Sequence, residues 1–176
     1  MDKTICGGIE MNCFKAFAEG FMAKIRVQSL SFISSKTISI QGEIHVLNIC
    51  TDALSILGVP SDIPGACVKV TPSGECHIFV NEKFFSLSDE TQKGIIAHEI
   101  GHIKLGHLKL PKRKLLWVMI SRNFKKCPME YDADFVGASI VGKDSFIESL
   151  KELRSFCVKY KSTQREISKR IDALMA

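Results

Sequence analysis

Two histidines one helical turn apart, with a glutamate directly after the first, are the residues in this chain best suited to chemistry. His98-Glu99-Ile100-Gly101-His102 reads H-E-x-x-H. Positions four apart share one face of a helix, so His98 and His102 can hold a single metal ion between them. Two neutral imidazoles suit Zn²⁺, which then requires a third protein ligand and an open position for water. Glu99 stands about 100° round the helix. It is placed to act on that water as a general base without ligating the metal. A bare H-E-x-x-H arises by chance in a chain of this length at roughly one per cent, so a third ligand has to corroborate it.

That corroboration comes from Glu130, 28 residues beyond His102 (102 to 130). Pro128 is well suited to open a helix, and Glu130 and Asp134 share a face of it. Acids in a first helical turn also compensate the helix dipole with no metal present. Together with H-E-x-x-H upstream, Glu130 reads as the third ligand and Asp134 as the acceptor of a hydrogen bond from a ligand histidine. His107 lies five residues past His102, about 140° away on a continuing helix, and reads as structural or solvated. Nothing near His77 completes a site, and it reads as a strand or surface histidine.

The elements that must position these groups are legible in outline. Ser88 is a helix N-cap, followed by Asp89 and Glu90 where the dipole favours acids. Ile95, Ile96, Ala97, Ile100 and Ile103 make the helix behind it apolar nearly all round, as a buried helix should be. Cys67-Val68-Lys69-Val70-Thr71 and Cys76-His77-Ile78-Phe79-Val80-Asn81 flank a Pro72-Ser73-Gly74-Glu75 turn and predict a hairpin. Residues 11–27 predict an amphipathic helix, 30–41 one or two strands, and 43–57 a second helix stopped by Gly58 and Pro60. Residues 108–122 read as a connection that packs Trp117. Gly137 and Ala138 are small enough for close helix contact, and Gly142 is a stop.

The 176 residues, 45% hydrophobic and 24% charged, predict one soluble globular domain (1–176) with a real core, and the helices and strands above make it α+β. The net charge of +5 is dispersed, which argues against nucleic acid as a partner. Seven scattered cysteines without C-x-x-C point to reduced thiols and a cytoplasmic location. There is no secretory signal, and the apolar run at 115–120 falls far short of the ~20 residues of a membrane span.

The chain resembles a known family at these residues. His98-Glu99-x-x-His102 followed by Glu130-x-x-x-Asp134 is similar to the HtpX-like and CAAX-prenyl-protease gluzincins, and its compactness to their small soluble members, the minigluzincins. Residues 67–174 carry the similarity, and 1–66 have no clear match. The resemblance implies a zincin-like fold, one Zn²⁺ per chain on His98, His102 and Glu130, and Glu99 as the base of a peptide hydrolysis. It also implies that a strand at the cleft, His77-Ile78-Phe79-Val80, pairs with an extended peptide or protein substrate. The family's tail histidine, which assists the oxyanion, is Gln164 here, followed by Arg165 in place of proline. Gln164 still donates a hydrogen bond, and Arg170 of the Arg170-Ile171 tail is the other candidate for that contact. Two alternatives stay open: a latent or non-catalytic zinc protein whose own termini cover its cleft, and a regulatory protease of the ImmA type.

Overall fold

The structure, a computed structural model, describes residues 32–50, 62–70, 74–107 and 128–176. The expectations for residues 11–27 and 108–122 lie outside these.

Gln41 and Gly42, with φ of 51° and 83°, form a two-residue turn whose twist matches that of the strands it joins. It folds strand β1 (Phe32–Ile40) antiparallel onto β2 (Glu43–Cys50), with Ile40 opposite Glu43 and Phe32 opposite Cys50. The helix expected from residue 43 is therefore wrong over Glu43–Cys50, which is strand. The apolar residues there fit either period. Pairing and the burial of Leu47 and Ile49 in the core decide for the strand. The expected hairpin is present as β3 (Ala66–Val70) and β4 (Cys76–Val80), paired antiparallel. β4 also pairs with β2 in parallel, giving the order β1-β2-β4-β3.

That order corrects the assignment of His77, Ile78, Phe79 and Val80 as a substrate-binding edge. β4 lies inside the sheet: Ile78, Phe79 and Val80 pair with Leu47, Asn48 and Ile49 on one side and with Val68, Cys67 and Ala66 on the other. An added strand needs backbone groups unclaimed on one side, and these have none to offer. His77 pairs with Lys69, and its Nε2 lies 3.6 Å from Glu75.

One face of the sheet carries the helix that holds H-E-x-x-H, α1 (Asp89–Lys104). Ile95, Ile96 and Ile100 pack with Ile40, Leu47, Ile49, Val68, Ile78 and Val80. Each such side chain, fully buried, contributes about 1.5–3 kcal/mol. The entry to α1 is built as the sequence predicts and then reinforced. Ser88 Oγ accepts from the Thr91 amide, while Glu152 accepts from the Ser88 amide, Ser88 Oγ and Thr91 Oγ1.

Glu152 belongs to the helical layer on the other side of α1, formed by α2 (Pro128–Val141), α3 (Lys143–Phe156) and α4 (Lys161–Met175). Gly142, at φ 92°, makes the sharp break between α2 and α3. A second core of Ala138, Phe146, Ile147, Leu150, Ile167, Ile171 and Leu174 joins these helices. Two glycines set how closely α1 and α2 approach. A Cβ on Gly101 would meet the Ala133 carbonyl oxygen at 2.6 Å, and one on Gly137 would meet the Phe146 ring at 2.5 Å and the His98 amide nitrogen at 3.1 Å. The domain is thus α+β, with α1 between a sheet and a helical layer. Among the described residues no helix is long and apolar enough to cross a membrane.

Candidate metal centre

The close approach of α1 and α2 brings three side chains with donor atoms together. His98 Nε2 and His102 Nε2 are 3.1 Å apart, Glu130 Oε2 is 3.3 Å from the first, and Glu130 Oε1 is 3.5 Å from the second. A tetrahedral ion with bonds of about 2.0–2.2 Å separates its ligands by roughly 3.3–3.6 Å. The separations, two of them to different oxygens of Glu130, are close to that size, and these side chains could hold a metal ion. The surroundings of the donors are also acidic: Glu99, Glu130 and Asp134 all act electrostatically on the Arg170 guanidinium.

His98 is held from behind. Its Nδ1 lies 2.8 Å from Asp134 Oδ1, and Asp134 is 1% exposed. A buried carboxylate is costly unless paired. Arg170, reaching over from α4, supplies the pair: Nε donates to Oδ2 at 2.7 Å and an η-nitrogen donates to Oδ1 at 2.5 Å. The other η-nitrogen is 3.7 Å from Glu130 Oε2. Arg170 therefore orients the ligand set from within the protein, as a bidentate fork on Asp134, rather than standing at the leading edge of the site.

The electrostatics follow from burial opposed by partners. For Asp134, burial raises the carboxyl pKa, but hydrogen bonds from Arg170 and His98 outweigh it and hold the group below its usual range. For Glu130, too, burial is overcome by the histidines and Arg170, and the pKa falls well below normal. Burial and Arg170 both oppose a proton on His98, yet Asp134 and Glu130 win and push its pKa up to about 9. With no ion bound, this centre attracts a proton where a cation would sit.

His102 is held differently. Its Nδ1 lies 2.9 Å from His107 Nδ1, with the ring centroids 5.1 Å apart. A helix continuing through residue 107 would turn this histidine about 140° away. In the structure α1 ends at Lys104, the Leu105 and Gly106 amides bond back to Gly101 and Ile103, and Gly106 adopts φ 66°. A left-handed residue past a helix end reverses the chain, and that reversal returns His107 to the ring one turn back. The glycine itself was the signal.

Glu99 is 8% exposed on α1, directly after His98 and in the turn before His102. Gln164 lines a concavity with Arg154, Lys161, Arg165 and Ser168. Glu130 keeps 38% of its side chain exposed, whereas the His98 and His102 side chains are 10% and 13% exposed, so the centre opens to solvent on the Glu130 side. No family model matches this chain, and neither a curated protein nor a solved structure matches it.

Proposed function

We propose that this chain is a zinc-dependent endopeptidase of the gluzincin kind, with a zincin-like fold, acting on a peptide or protein substrate in the cytoplasm. The observation that carries the reading is the gathering of His98, His102 and Glu130 donors at separations close to those of a small four-coordinate ion, with Glu99 buried beside them on the same helix. The resemblance of H-E-x-x-H and Glu130-x-x-x-Asp134 to the HtpX-like peptidases supports it, as do the acidic surroundings of the donors. Zinc bound there would supply Lewis acidity toward a carbonyl oxygen and toward water. The chain's own residues do the rest. Glu99 takes a proton from the attacking water as its oxygen bonds to the carbonyl carbon, then gives that proton to the leaving nitrogen as the C–N bond breaks. Asp134 and Arg170 keep the His98 ring in place, and the exposed side of Glu130 is where the peptide enters.

The test is Glu99→Gln, measured for zinc content, thermal stability and peptide hydrolysis beside the wild type. Unchanged zinc and stability with a rate loss of about 10²–10⁴ support the peptidase. A wild type that is loaded with zinc but inert on every peptide tried favours a latent or non-catalytic zinc protein instead.

A further inference from the structure

Each nitrogen of an imidazole has one task at a time. If His102 offers Nε2 as a lone pair toward a shared metal ion, its proton must sit on Nδ1. Nδ1 faces His107 Nδ1 at 2.9 Å, a separation at which one of the two carries a hydrogen and the other accepts it. The only arrangement compatible with a ligating His102 has its Nδ1–H donating to an unprotonated His107 Nδ1, with the His107 proton on Nε2.

We infer that His107 is a positioning residue, which selects the metal-binding tautomer of His102 and fixes its ring as Asp134 does for His98. The inference rests on the metal-centre reading and assigns His107 no bond to the ion. Three features carry it: the Nδ1–Nδ1 contact, the left-handed Gly106 that turns His107 back, and the His102 Nε2 aimed at His98 and Glu130. Among the described residues nothing lies within 4 Å of where a Gly106 side chain would begin, so the glycine serves its left-handed backbone and hence the placement of His107.

The experiment compares wild type, His107→Ala and His107→Asn. Asparagine keeps an oxygen acceptor near the Nδ1 position, and alanine keeps none. Zinc affinity is measured by competition with a chelator, and the His102 tautomer by nitrogen-resolved NMR of the metal-free protein. In the wild type His102 should be the Nδ1–H tautomer. His107→Ala should still bind one zinc at saturation but about 10–100-fold more weakly, with melting temperature little changed and the tautomer shifted toward Nε2–H. His107→Asn should recover most of both. Equal affinities in wild type and His107→Ala, or a wild-type His102 protonated on Nε2, overturn the inference while leaving the metal centre standing. A wild type that binds no zinc overturns the metal reading itself, and the tautomer measurement then decides the His102–His107 contact by itself.

Discussion

His98 and His102 stand on successive turns of one helix and aim the same ring nitrogen at the same point, yet the protein holds them by unlike means. Behind His98 is a buried carboxylate gripped by a bidentate arginine from another helix. Behind His102 is a histidine five residues on, brought back by a glycine turn. The first support is charged, long-range in sequence and enclosed. The second is local and half-buried. Charge inside a protein has to be compensated completely, so the His98 side ties α1, α2 and α4 into one unit and failure there is a failure of the fold. A contact between two imidazoles carries no such obligation, and its loss should be felt by the metal alone.

The sharpest way to break this comparison is at Arg170. Arg170→Leu leaves buried Asp134 with only His98 opposite it, and removing one partner of a buried pair typically costs up to about 3–5 kcal/mol. That is a large share of the ~5–15 kcal/mol that holds a domain of this kind together. Urea unfolding should show it, and Asp134→Leu combined with Arg170→Leu should regain part of the loss. If Arg170→Leu is as stable as wild type, the charged side is not the structural one.

Gly101 tests both supports together, because it sets the distance from α1 to the helix carrying Glu130 and Asp134. Gly101→Ala forces a methyl against the Ala133 carbonyl, and overpacking of this sort costs about 1–3 kcal/mol. Zinc affinity should fall with stability, since moving α2 away spreads the donors. A variant that keeps both would mean that the helices give way without disturbing the ligands.

A smaller effect separates the histidines by pH. His98 has its pKa raised to about 9, so below that pH an incoming metal must displace its proton. Zinc affinity should rise about tenfold per pH unit toward pH 9. In the metal-free protein the sign reverses: the stabilisation from protonated His98 is complete below its ordinary pKa of 6.5 and is lost as pH rises through about 9. Asp134→Asn removes the charge that holds the proton, and its affinity should depend less steeply on pH. Chelator competition between pH 6.5 and 8.5 measures both slopes.

Much of the site could be read without a structure because its signals are local or positional. Four-residue spacing puts His98 and His102 on one helix face whatever surrounds them, and Ser88 caps that helix by a contact three residues long. The second helix does begin at Pro128, and Asp134 does meet His98. What was misread depended on partners distant in sequence or on a single backbone angle. Glu43–Cys50 has apolar residues that fit two periods, and pairing with β1 and β4 makes it a strand. His77 to Val80 looked like an edge because a hairpin gives no sign of the parallel strand that flanks it.

The sequence by itself determined the side chains available as donors: two imidazoles one helical turn apart and a carboxylate from a second helix, with a glutamate directly after the first histidine. Side-chain type and helix period are properties of the chain, and no packing is needed to know them. Only the tertiary structure decided which groups stand behind the donors. Gly101 is a gap against Ala133, Arg170 is the counter-charge of Asp134, and His107 is the partner of His102. These roles arise from approach distances and from one left-handed glycine, and the desolvation that makes them consequential exists only once the helices have closed around the site.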